Sequence, residues 1–253
     1  MNCLPPLPSL KRTVLTLVAV AQVASAATDS FWTPVRWATH DQVRLVGLYH
    51  PASDPAKKLT WVLQHGLGSN KEEWDKFARQ LAATTGQGVL IFDARGHGES
   101  QRTTGGAPVH YTAFARGDWQ EMPGDMESAV DFLKKMYGLK TDRIAVGGAS
   151  LGANIAILYA AHAGDVPAVM LFSPGIEYAG MNIDNAFNRY GAKPLLLAAS
   201  PGDRYAFESV QVLARRRGDA HLRIIEGPDS KHGVNMFDAP TTARILDWTQ
   251  HLN

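Results

Sequence analysis

Six short, nearly continuous apolar runs organise this chain: Leu59–Leu63, Gly88–Phe92, Arg143–Gly147, Ala168–Phe172, Pro194–Ala198 and Leu222–Ile225. Runs of this length suit strands that are covered on both faces. Helical patterns separate them over Glu72–Ala83, Asp125–Tyr137, Ile155–Ala163, Phe207–Arg217 and Thr241–His251, with Gly138 in a helix-ending position. Ahead of them, Val35–Ala38 and Val43–Tyr49 alternate apolar and polar residues around His40-Asp41-Gln42, the pattern of an antiparallel hairpin. The order predicts an α/β fold: a mostly parallel eight-stranded sheet opened by an N-terminal antiparallel hairpin, with helices on both faces. Ligands of such sheets bind at the carboxyl ends of the strands, so chemistry is sought where each run stops.

The start of the chain reads differently. Lys11 and Arg12 precede the apolar run Thr13–Val23, and Ala24-Ser25-Ala26 supplies a small-residue cleavage site. That layout predicts a signal peptide over residues 1–26 and a single domain over 27–253. An uncleaved anchor is the alternative, but the run falls short of the roughly 20 apolar residues that a span needs. The expectation is therefore export, to the periplasm or beyond, without stable membrane insertion. Losing Lys11 and Arg12 takes the basic count from 25 to 23 against 24 acidic side chains, which gives no footing for a nucleic acid. The one basic block, Arg215-Arg216-Arg217, reads as a solvated helix face. Cys3, the single cysteine, falls within the signal, so the exported domain would carry no thiol, disulfide or thiolate metal site.

Gly148-Ala149-Ser150-Leu151-Gly152 follows the third of the six runs and opens a helix. A serine in a G-x-S-x-G turn between strand and helix is pushed clear of the sheet, and its flanking glycines avoid collision with the neighbouring backbone. The helix start directs partial positive charge at the same place. Such a nucleophile needs two backbone donors for a developing oxyanion. The Leu151 N–H is one candidate. The other is the Leu67 N–H, in Gln64-His65-Gly66-Leu67-Gly68-Ser69 after the first run.

A serine nucleophile also needs a base and an acid that orients it. Ser200-Pro201-Gly202-Asp203 and Gly227-Pro228-Asp229-Ser230-Lys231-His232-Gly233 follow the last two runs, in the order serine, acid, histidine. Ser150, Asp203 and His232 are thus the predicted triad. Glu177 competes for the acid role, and Asp229 less well because it shares a loop with His232. His65 and His97 flank glycines and are expected to brace backbone, while His40, His162, His221 and His251 lie in the hairpin turn, on helices or at a strand start. His110 carries no assignment. No His, Asp or Glu cluster has metal-ligand spacing, so neither a metal nor another cofactor is expected.

The sequence resembles the α/β-hydrolase fold superfamily over nearly all of the predicted domain. Phe92-Asp93-Ala94-Arg95-Gly96-His97-Gly98-Glu99-Ser100 is similar to the D-x-R-G-x-G-x-S segment of lysophospholipase-like and serine-aminopeptidase-like hydrolases, and His65–Gly68 matches their H-G-x-G. The resemblance implies that Asp93 and Arg95 support the active-site loops without taking part in chemistry. Ser200 departs from the glycine common before the acid turn.

Only Ser173–Lys193 separates the fourth and fifth runs, too little for a sizeable lid domain. The irregular stretch Gln101–Glu121 holds Tyr111, Phe114 and Trp119, which either line a shallow acyl pocket or form a small core under a long loop. These features predict a serine hydrolase cleaving small carboxylic esters through an acyl-enzyme, its partner a small-molecule ester. A peptidase, an amidase or a lysophospholipase on the same triad is the alternative. A non-catalytic binding protein on this scaffold is the alternative of another class.

Overall fold

The computed structural model describes residues 29–218 and 220–252; the predicted signal peptide lies outside them. Strands β1 (Thr33–Ala38) and β2 (Val43–His50) form the expected hairpin, pairing Thr33 with Tyr49 through to Ala38 with Arg44. The six runs appear as β3 (Thr60–Gln64), β4 (Gly88–Asp93), β6 (Ile144–Ala149), β7 (Val169–Phe172), β10 (Leu195–Ala199) and β11 (Leu222–Glu226). The sheet runs β1-β2-β4-β3-β6-β7-β10-β11, parallel from β4 onward, with β2 antiparallel to β4. A two-residue strand, β5 (Arg102–Thr103), adds a ninth member against β2. Another short pair, β8 (Glu177–Tyr178) with β9 (Met181–Asn182), stands apart between β7 and β10. Two residues carry no readable alternation, which is why neither pair was foreseen.

The helices are α1 (Asp75–Thr85), α2 (Arg116–Gln120), α3 (Met122–Tyr137), α4 (Leu151–Ala163), α5 (Asp184–Tyr190), α6 (Arg204–Arg217) and α7 (Ala239–Gln250). Pro123 at the start of α3 and left-handed Gly138 after its end bound that helix as its sequence suggests. One face of the sheet, through Val62, Phe92, Val146 and Leu171, packs on α3, α4, α5 and α6. The other, through Trp61, Leu63, Ile91 and Phe172, packs on α1 and α7. Central β3, β4 and β6 are buried along their whole length, as expected.

Two expectations need correction. Leu222–Ile225 looked like a strand buried on both faces, yet β11 is the sheet edge, with Ile224 exposed. Its apolar run reflects one covered face and one open one. The arginine triplet is not simply solvated either. Arg216 pairs with Asp184 of α5, and Arg217 donates to the Lys193 carbonyl, so two of the three tie α6 to the segment before β10.

Candidate active site

Ser150 joins β6 to α4 with φ 54° and ψ −121°. A residue with a Cβ held there costs about 1–3 kcal/mol, so its surroundings must enforce it. A Cβ added at Gly148 would stand 2.3 Å from the Gly152 carbonyl carbon, and one at Gly152 would stand 2.3 Å from the Gln64 carbonyl oxygen. Glycine at both places lets strand, turn and helix close on one another. The Ser150 N–H donates to the Phe172 carbonyl at 2.8 Å and fastens the turn to β7.

Asp203 is the N-cap residue of α6, but its carboxylate does not cap the helix. Its Oδ2 lies 2.6 Å from His232 Nδ1 instead. A carboxylate can only accept, so Nδ1 carries the proton and Nε2 keeps its lone pair. The histidine side chain is 44% exposed and the aspartate 15%, which leaves the imidazole open to a reactant and shields its partner. The Gly202 N–H to the Asp229 carbonyl, 2.8 Å, binds the two loops together. Ser173 braces the histidine loop: Gly233 N–H donates to its Oγ at 2.9 Å. A Cβ at Gly233 would lie 3.3 Å from that of Ala149, so the histidine loop rests on the residue before the serine.

Ser150 and His232 share no direct hydrogen bond among the described residues; in free enzymes such contacts are often loose and tighten with substrate. The Ser150 hydroxyl instead neighbours the Tyr178 phenol. Burial pushes that phenol up, the Asp203 charge adds to the rise, and the serine hydroxyl partly offsets it, so Tyr178 stays a protonated donor. Glu177, the competing acid, is exposed, and its backbone N–H and carbonyl bond the Tyr205 hydroxyl at 3.0 and 2.9 Å. Neither Glu177 nor Asp229 bonds a histidine among the described residues.

The loop after β3 comes against the serine: a Cβ at Gly66 would lie 3.4 Å from that of Ser150. His65 holds it to the loop after β4. Its Nε2 accepts the Ala94 N–H at 3.0 Å and its Nδ1 donates to the Gly66 carbonyl at 2.7 Å. Burial holds this imidazole neutral, down to about 3. The N–H groups of Leu67 and Leu151 meet no protein acceptor among the described residues. His97 Nδ1 bonds the Arg95 carbonyl at 2.9 Å, so both histidines brace backbone as expected.

Asp93 and Arg95 also sit as the resemblance implied. Asp93 accepts the Lys71 N–H at 2.7 Å, the Lys71 ammonium at 2.9 Å and the Glu99 N–H at 2.8 Å. A Cβ at left-handed Gly98 would overlap that carboxylate. Arg95 bridges fully buried Asp125, Nε to Oδ1 2.9 Å, and Asp41, Nη1 to Oδ2 2.7 Å. Tyr111 stacks on His97 with ring centres 4.1 Å apart, and its hydroxyl lies 3.3 Å from where a Gly68 Cβ would be. Phe114 meets Trp119 edge-on and both pack against the core. The aromatic stretch therefore divides: Tyr111 borders the loop after β3, while Phe114 and Trp119 form a small core with each other.

Asn154, Ser173, Tyr178 and Glu73 escaped the sequence reading. Asn154, buried in α4, donates to the Met181 carbonyl at 3.1 Å and accepts the Gly175 N–H at 3.2 Å, and so positions the β8–β9 hairpin that carries Tyr178. No local pattern marks such a residue. A groove of about 560 Å³ beside Trp37, Phe132 and Met136 includes none of the candidate catalytic side chains. No group of three metal-ligating side chains converges among the described residues, and no helix among them is long and apolar enough to cross a membrane.

A mostly parallel sheet with a strained serine at a strand–helix corner defines an α/β-hydrolase. The chain belongs to the serine aminopeptidase S33 family of these hydrolases, whose model matches residues 55–222. Among solved structures it is similar to an esterase of Pyrococcus furiosus, with 22% identity and a TM-score of 0.70 over 87% of this chain and 91% of that one. A cold-adapted esterase from an Arctic intertidal metagenomic library gives 18%, 0.65, 87% and 93% by the same measures. Dienelactone hydrolase from Anabaena variabilis gives 19%, 0.60, 87% and 96%. At these identities the likeness is one of fold. No curated protein matches in sequence.

Proposed function

We propose that this hydrolase is an exported serine carboxylesterase that cleaves small, accessible esters through an acyl-enzyme. The observation that carries the reading is the 2.6 Å Asp203–His232 bond on loops packed against the Ser150 turn. Ser150 attacks the ester carbonyl while His232 Nε2 takes its proton. Asp203 orients the ring and stabilises the imidazolium. The Leu67 and Leu151 N–H groups receive the oxyanion, which two otherwise unpaired donors suit. His232 then protonates the leaving alcohol, and water, activated by the same base, releases the acid.

The family's description supports a second reading, an aminopeptidase on the same triad. The β7–β10 segment that borders Ser150 holds only β8, β9 and α5, a small cover that suits compact esters. Labelling with a fluorophosphonate probe tests the mechanism: wild type should label, Ser150→Ala should not, and its ester turnover should fall by several orders of magnitude. Undiminished turnover by that variant would remove the reading. Parallel assays on p-nitrophenyl acetate and aminoacyl p-nitroanilides separate esterase from peptidase. Export with cleavage after Ala26 belongs to the proposal and is tested by sequencing the N-terminus of the mature protein.

A further inference from the structure

The turn that follows the oxyanion loop, Lys71–Trp74, is unusually well anchored. Asn70 accepts the Glu72 N–H at its start, at 3.1 Å. Lys71 is buried, its N–H and ammonium both bound to Asp93, and its ammonium also meets Glu99 at 3.0 Å and Glu72 at 2.9 Å. Three carboxylates already surround that cation. Glu73, one residue further on, is thereby fixed in direction without being neutralised by its neighbour.

From this turn Glu73 reaches back to the loop. Its Oε1 accepts the Gly66 N–H at 3.1 Å, and the Ser69 hydroxyl neighbours it. The bond grips the residue before Leu67, while Ser69 N–H closes the same loop onto the Gly66 carbonyl at 3.2 Å. Across the site, a positive charge on His232 would favour the ionised form of Glu73. Burial raises the carboxyl above the usual range, and the Ser69 and Gly66 donors and His232 pull it back toward ionisation.

We propose that Glu73 is a positioning residue for the reaction centre: it anchors the Leu67-bearing loop through the Gly66 N–H and presents a second negative charge, beside that of Asp203, toward His232. The inference rests on the Ser150–His232–Asp203 reading. When His232 takes the serine proton, the new positive charge has Asp203 at Nδ1 and Glu73 on the oxyanion-loop side. The groups the structure brings toward His232 are then Asp203 from the start of α6 and Glu73 from the turn after β3, while Asp229 and Lys231 are its charged sequence neighbours. Those facing Glu73 are the Gly66 N–H and Ser69 of the loop after β3, and His232, with Glu72 and Lys71 its sequence neighbours on the same turn. Glu73 touches no reacting atom. It sets where one oxyanion donor stands and how readily the base holds a proton.

The two effects separate by substitution. Glu73→Gln keeps an oxygen for the Gly66 N–H and removes the charge. Because folding raises this carboxyl, ionising it opposes folding, so the amide variant should melt no lower than wild type. Its kcat on p-nitrophenyl acetate should fall about 3- to 10-fold with KM little changed, and the acid limb of kcat/KM should move to lower pH by up to about one unit. Glu73→Ala removes the anchor as well and should lose roughly 10²-fold or more, the scale of one misplaced oxyanion donor. Glu73→Asp keeps the charge, so its acid limb should stay near wild type while kcat drops. A Glu73→Gln enzyme with wild-type kcat and an unmoved acid limb overturns the inference. So does a Glu73→Asp acid limb displaced to lower pH by about one unit, a result available even if the amide variant does not fold. Probe labelling of wild type keeps the two readings apart: a labelled wild type with a silent Glu73→Gln sinks Glu73 alone, and an unlabelled wild type sinks the triad and this inference with it.

Discussion

His232 Nδ1 and Asp203 Oδ2 stand 2.6 Å apart, joining the loop after β11 to the first residue of the α6 cap. Glu177, the rival acid, commits its backbone to Tyr205 and leaves its side chain in solvent. Asp203→Asn should therefore lower kcat by roughly 10⁴-fold, because an amide there favours the wrong imidazole tautomer. Glu177→Gln should change it less than about twofold. Steady-state kinetics on one activated ester checks the ranking, and a reversed order would move the acid to the β7 loop.

Ser173 should matter twice. It is fully buried, and its Oγ accepts the Gly233 N–H next to the base. Ser173→Ala leaves that donor unpaired, a loss of about 1–3 kcal/mol that a urea titration would show. The histidine loop loses a fixed point as well, so kcat should fall while probe labelling of Ser150 persists at a slower rate. A variant with wild-type stability would mean that the loop is held elsewhere.

Acid should weaken the fold through His65. Its imidazole is held neutral down to about 3 in the native state, against an ordinary 6.5. The unfolded chain therefore binds a proton that the native chain refuses, and stability falls as pH drops from about 6.5 toward 3. From this group alone the slope approaches 1.4 kcal/mol per pH unit, as an upper estimate. Raised carboxyls at Glu73 and Asp125 act in the opposite sense, so the readout is a difference between variants. His65→Asn should be less stable at pH 7 but show a flatter decline between pH 6 and 4 in urea midpoints. An unchanged slope would show that His65 does not govern acid sensitivity.

Acyl length should be limited by the small cover near Ser150. Between β7 and β10 the chain forms only two short strands and α5. Phe114 and Trp119 are occupied with each other and with the core, leaving Tyr111 and Tyr178 as the aromatic side chains placed by the loops at the site. Each further methylene gains about 0.8 kcal/mol only where surface exists to bury it. kcat/KM should peak for acyl chains of about two to six carbons and show no jump at the substrate's solubility limit. A p-nitrophenyl series from acetate to palmitate measures both. A maximum at palmitate, or activation at an interface, would turn the proposal toward a lipase.

Much of this was legible because backbone demands leave marks in sequence. Gly148 and Gly152 betray the turn around Ser150 because any larger residue would strike the adjoining backbone. Asp203 and His232 were reachable because topology says where strands end. Ser173, Asn154, Tyr178 and Glu73 were not, since each acts on a partner between 5 and 60 positions away or on a loop folded back in space. Nothing local distinguishes Asn154 within an apolar helix. β11 misled for a related reason: a run of apolar residues reports composition, and the edge of a sheet is decided by order.

One small packing detail governs how this site can vary. Ser200, at the start of the turn that carries Asp203, is fully buried, its hydroxyl meets no hydrogen-bond partner among the described residues, and a Cβ at Gly227 would sit 2.6 Å from that oxygen. The two loops that deliver Asp203 and His232 thus interlock through one hydroxyl and one missing side chain. Substitutions at the two positions are therefore not independent. A side chain at 227 would have to displace the Ser200 hydroxyl and also Met236, whose Cβ would stand 2.9 Å away, so the position admits one only if the turn before Asp203 and the segment after His232 move together.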